Sequence, residues 1–119
     1  MRYSAVDYVS ADAVRNEVCQ AMIRFHQKYD LLLTPAVPVP ALPVGHDLNA
    51  PGERHWIDWT PFSYPFNMTR QPAASVPCGL TRQGLPIGLQ LVGRYHEDAL
   101  VLRAAHAFEA TQPAMRPPI

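Results

Sequence analysis

Apolar residues recur at Val14, Val18, Met22, Phe25 and Tyr29, in steps of four, four, three and four, with Arg15, Asn16, Gln20 and Gln27 off the stripe. That spacing keeps to one face of a 3.6-residue turn and predicts a helix over about 5–28. Ser4, with Asp7 three residues on, resembles a helix N-cap, although the capping box usually has Glu or Gln at the second position. The run Leu31-Leu-Leu-Thr34 favours a strand, about 31–34, which Pro35 closes. Two further strands are expected at about 73–77 and 87–92. They are separated by the polar Thr81-Arg-Gln83 turn and the Gly84-Leu-Pro-Ile-Gly88 entry. So short a link joins antiparallel neighbours, because a parallel return needs a dozen or more residues. A last helix is expected over about 98–110, with Val101, Ala104, Ala105 and Phe108 on one face. Glu97 and Asp98 stand at its start, where the helix dipole favours acids.

Between the first strand and the hairpin the pattern breaks down. Pro35, Pro38, Pro40, Pro43, Pro51, Pro61, Pro65, Pro72 and Pro77 crowd one stretch, which predicts a loop over 36–66 without regular helix. Trp56, Trp59, Phe62, Tyr64 and Phe66 are too many aromatics for a disordered linker. The segment reads either as a hydrophobic cover over a sheet edge or as the wall of a substrate pocket. Helix, strand, crossing loop, hairpin and helix together give an α/β chain: a mixed sheet of about three strands with flanking helices. Three strands fall below the usual four to six and leave two edges with little to hide them. The pattern suits a piece of a larger fold.

Composition narrows the classes. Acidic and basic residues balance at ten each. No basic stripe is present, which argues against nucleic acid or an anionic membrane surface as partner. The apolar stretch 36–44 is broken by three prolines and cannot span a bilayer. The first residues lack the apolar run of a secretory signal, and two cysteines make no disulfide framework. A reduced cytoplasmic setting is the expectation. Gly79, Gly84, Gly88 and Gly93 do not fit a dinucleotide fingerprint, so no cofactor is expected. The five histidines lack close ligand spacing. His46 and His55, with Asp47 and Asp58 nearby, are the nearest approach to a metal site, and none is expected. Cys78, before Gly79, reads as a small buried apolar residue, because no base that would activate it is evident.

The segment 66–93 carries the most specific signal. Asn67, Thr69, Pro72, Ala73, Ser75, Val76, Pro77 and Gly79, then Gly84, Leu85, Pro86, Gly88, Leu89 and Gln90, form one ordered series. In that order they resemble the C-terminal end of the amidase signature family, with Arg70 standing where a glycine is usual. Tyr29-Asp-Leu-Leu-Leu-Thr-Pro35 and the final helix extend the resemblance over most of the chain. It implies a fragment of a larger α/β/α fold that hydrolyses carbon–nitrogen amide bonds, or transfers amide nitrogen, with a Ser–Ser–Lys triad. The lysine accepts a proton, one serine relays it, the other attacks the carbonyl, and a Gly/Ser-rich loop holds the oxyanion.

None of that machinery is evident in this chain. Lys28 is the only lysine and suits a helix C-terminus, while serines occur only at 4, 10, 63 and 75, outside any glycine-rich run. No catalytic residue is therefore assigned. By position in the resembled family, Thr60 and Phe62 are the candidate substrate-binding residues, and Asn67 is expected to brace the loop backbone. Thr60 falls where the tRNA-dependent amidotransferase carries an acid, which favours an amidase of small-molecule amides. The implied partner is the N-terminal portion of such an enzyme. The contrasting reading is a free-standing, non-catalytic protein that binds a partner or forms a homodimer through a strand edge.

Overall fold

The computed structural model describes residues 3–46 and 56–112. A long helix α1 (Ala5–His26) leads into strand β1 (Leu31–Pro35). After a short 3-10 turn (Trp56–Trp59) come helix α2 (Tyr64–Thr69), strands β2 (Ala73–Leu80) and β3 (Pro86–Gly93), and helix α3 (Asp98–Glu109). The strand order is β1-β3-β2, and both pairings are antiparallel. The sequence pointed to a mixed sheet. Here β1 and β2 run the same way, but β3 separates them, so the described strands contain no parallel pair.

Local chemistry explains the element ends. Ser4 caps α1 as half of a capping box: its hydroxyl accepts from the Asp7 N–H at 3.2 Å, and the Asp7 carboxylate accepts from the Ser4 N–H at 2.8 Å. The helix stops at His26, two residues short of the expected end, and Gln27 forms its C-cap. Proline density did not exclude helix from 36–66 as expected. Pro65 lies in the first turn of α2, where a missing N–H costs nothing because that group has no intrahelical acceptor. Thr81 builds the hairpin turn, its hydroxyl accepting from the N–H groups of Gln83 (3.2 Å) and Leu85 (3.1 Å). A bulge interrupts β2 between Pro77 and Gly79 and leaves Cys78 half-buried rather than in the core.

The sheet has two unlike faces. Leu31, Ala74, Val76, Leu89 and Leu91 pack with Val101, Ala104, Ala105 and Phe108 of α3, the helix face expected from the sequence. Close packing there needs Gly93, since a Cβ at that position would stand 2.5 Å from a Val101 methyl. The other face carries the row Thr34, Gln90, Ser75, and beside it Val92, which is fully buried. α3 lies over β2 and β3 and leaves Leu33 of β1 exposed.

Burial on α1 differs from the expected stripe. Val14 and Tyr29 are exposed, while Val18, Cys19, Met22 and Phe25 are half-buried and His26 is buried. The N-terminal half shows Tyr3, Val6, Tyr8 and Val9 to solvent. The whole chain exposes 9156 Å², where a compact fold of 13.3 kDa exposes about 6,400 Å². Its radius of gyration, 17.4 Å, likewise exceeds the roughly 13–14 Å of a compact domain this long.

The capping box has a pH consequence. Hydrogen bonds from the Ser4 N–H and hydroxyl hold the Asp7 carboxyl below its ordinary pKa. A depressed folded-state pKa contributes stability above the unfolded value, and that contribution is lost as pH falls through the folded value. Helicity measured by circular dichroism should therefore drop below about pH 4. The part of that drop due to this cap should vanish in Asp7→Asn.

Candidate functional site

Thr60 and Phe62 lie in the turn that leads into α2, and both are half-buried. The Thr60 carbonyl accepts from the N–H groups of Ser63 (3.0 Å) and Tyr64 (3.4 Å), which turns the chain into the helix. Gln90, at the middle of β3, grips the same turn. Its Nε2 donates to the Phe62 carbonyl at 2.6 Å and to the Thr34 hydroxyl at 3.0 Å. The Thr34 hydroxyl in turn donates to the Pro35 carbonyl at 3.1 Å. One side-chain amide thus staples the turn to β3 and β1 on the sheet face opposite α3. Trp59 stands edge-on to His46, ring centroids 6.4 Å apart.

A second glutamine does similar work at the other end of α2. Thr69 is buried and its hydroxyl donates to Gln71 Oε1 at 2.8 Å, while Gln71 Nε2 donates to the Gly93 carbonyl at 2.9 Å. Arg70 between them has φ 57° and ψ 32°, the left-handed conformation that ends α2. The glycine usual at this place would adopt it without strain. Asn67 does not brace the loop: it is an exposed residue of α2, and its side chain makes no hydrogen bond among the described residues.

The other sequence candidates stay dispersed. Lys28 Nζ sits 5.4 Å from the centre of the Tyr29 ring, a cation–π contact at the end of α1. Ser4 is committed to its cap, and Ser63 precedes α2 without a side-chain capping bond. Among the described residues no three His, Cys, Asp or Glu side chains converge as metal ligands. His55 and Asp47 lie outside the described residues. No described helix is long and apolar enough to cross a membrane. The Thr60–Phe62 turn thus carries an aromatic ring, a hydroxyl and backbone groups, and no side chain of the kind that usually acts as a general base.

Sequence reasoning missed a cleft of about 550 Å³ between α1, α2 and the segment after β3. Cys19, Met22, Ile23 and Met68 give it apolar walls, and Arg15, Arg70 and Arg94 border it. His26, 2% exposed, is also part of its lining. Its Nδ1 lies 3.0 Å from the Tyr29 carbonyl, which can only accept, so Nδ1 carries a proton, and Nε2 has no partner among the described residues. Neither Thr60 nor Phe62 borders this cleft. Cys19 and His26 follow Arg15 at helical spacing, but a mixed polar and apolar row has no single sequence signature.

Comparison with known proteins places these features. A family model described as Amidase matches residues 1–102. This chain belongs to the amidase signature family. It is 38% identical to an acylamidase of Rhodococcus erythropolis over 94% of its own length and 24% of that protein's. It is 40% identical to the A-type subunit of the Brevibacillus brevis glutamyl-tRNA(Gln) amidotransferase, over 87% of itself and 21% of that relative. The crystal structure of the corresponding Thermotoga maritima protein superposes with a TM-score of 0.79 at 33% identity, covering 92% of this chain and 24% of that one. The chain thus spans between a fifth and a quarter of these relatives.

Two outcomes follow from this geometry. Gln90→Leu should leave the Phe62 carbonyl without its donor at a stability cost of about 1–3 kcal/mol. Amide hydrogen exchange should rise first across 60–64. Arg70→Gly should relieve the left-handed strain and raise stability by about 0.5–1 kcal/mol in urea denaturation, whereas Arg70→Val should lower it.

Proposed function

We propose that this chain forms the C-terminal part of an amidase that hydrolyses carbon–nitrogen bonds of small-molecule amides. It contributes scaffold and the wall of the substrate pocket, and it is inert by itself. The observation that carries this reading is the family match across residues 1–102 in a chain with one lysine, four serines and no Gly/Ser-rich segment. A triad needs a base, a relay, a nucleophile and an oxyanion hole within hydrogen-bond reach of one another. Thr60 and Phe62, in the turn held by Gln90, are the residues assigned to contact the substrate's acyl side. The two thiols are unpaired, in keeping with a reduced cytoplasmic setting.

One observation favours a second reading. The Brevibacillus brevis relative and the Thermotoga maritima structure are both A-type subunits of glutamyl-tRNA(Gln) amidotransferases, so a fragment of such a protein fits the same match. Thr60, in place of an acid, weighs towards the general amidase.

The test is a chimera in which this chain replaces the matching quarter of the Rhodococcus erythropolis acylamidase. The purified 119-residue chain should hydrolyse no acyl amide above buffer, while the chimera should turn the amide over. Activity of the isolated chain after removal of trace contaminants, or an inactive but folded chimera, overturns the proposal.

A further inference from the structure

We propose that the arginine-bordered cleft beside α1 is the seat for a segment from the remaining three quarters of the amidase fold: an apolar stretch flanked by carboxylates. This rests on the reading of the chain as one part of such an enzyme. Three observations select that occupant over a small ligand or a second copy.

The first is charge. Arg15, Arg70 and Arg94 border the cleft, and no Asp or Glu among the described residues is part of its lining. Arg15 meets Asp12 at 3.2 Å along α1. Arg94 reaches Asp30 only at 3.9 Å, with both side chains largely in solvent. Arg70 has no ion-pair partner among the described residues. A neighbour bearing carboxylates complements this border, whereas a second copy would bring the same three cations against themselves.

The second is a pair of polar atoms on residues of the cleft lining, buried without partners among the described residues: Arg15 Nε, a donor, and His26 Nε2. Leaving such groups unpaired is costly. They are 11 residues apart on α1, or roughly 16 Å along the axis. That distance exceeds a single small molecule's reach and matches about five residues of extended chain. A backbone offers what both atoms need, a C=O for Arg15 and either an N–H or a C=O for His26.

The third is exposure. Ile23 in the cleft wall is 52% exposed, and Val6, Tyr8, Val9 and Val14 of the same helix are exposed too, while the chain is matched to only 24% of the acylamidase. Filling the cleft with peptide covers apolar surface of α1 that the described residues leave open.

Cys19 reports on the cleft directly. With Cys78→Ser as background, maleimide modification of Cys19 is followed by peptide mass spectrometry in the free chain and in the chimera with the acylamidase. Modification should be at least tenfold slower in the chimera. Arg70→Glu should restore most of the free-chain rate, and Arg82→Glu in the hairpin turn, outside the cleft lining, should not. An active chimera with Cys19 as reactive as in the free chain overturns this proposal and leaves the amidase reading standing. A protected Cys19 in an inactive chimera supports the cleft assignment and sinks the functional reading. Protection that appears in the free chain as its concentration rises assigns the cleft to a second copy and overturns the proposal.

Discussion

The described structure hangs on β3, the one strand paired along both edges. Its central residue, Gln90, lies opposite Thr34 on one side and Ser75 on the other. A primary amide has two N–H donors, and Gln90 aims its Nε2 at the Thr34 hydroxyl and the Phe62 carbonyl. A half-buried carbonyl without a donor costs about 1–3 kcal/mol, so this contact fixes where the crossing segment returns to the sheet. From that point follow the start of α2, the placement of Phe66 in the buried interior, and the Thr69–Gln71 bridge to the end of β3.

What β3 organises is one layer and a partial cover. α3 shields β2 and β3, while the Thr60–Thr69 region meets the opposite face. α1 is tied at its C-terminal end, where Arg94 donates to the His26 carbonyl at 2.8 Å, and its N-terminal half stands in solvent with its valines and tyrosines exposed. Helix caps and local pairs can hold that half in a helix, yet tertiary burial is what usually stabilises one. The exposed apolar residues lie on the half of α1 that no described element covers, and the arginine-bordered cleft opens along the other half, beside α2.

Much of the fold was legible because short-range rules govern it. Apolar runs between prolines and glycines marked three strands, and the Val101–Phe108 face marked α3. The Ser4–Asp7 pair marked the start of α1 although Asp is not the usual box partner. Legibility failed where distant residues decide. Proline counting hid α2, because Pro65 falls in a first turn that tolerates it. The α1 stripe misassigned Val14 and Tyr29, since what α1 packs against is set by α2 and the strand ends, not by its own period. Gln90 was visible as a motif residue, but its grip on Phe62 spans 28 positions and has no local signature. His26 gave no sign of burial, because a histidine among charged and polar neighbours reads as surface.

The mode of attachment of the Thr60–Phe62 turn bears on how such a wall can diverge. Gln90 holds Phe62 by its carbonyl oxygen, and the carbonyl of Thr60 receives the N–H groups that begin α2. Backbone anchors fix the path of the chain while placing little demand on which side chains it carries. Proton transfer, by contrast, needs particular side chains within hydrogen-bond reach of one another. If Thr60 and Phe62 contact substrate as proposed above, a wall held through its backbone keeps its position independently of the groups that move protons.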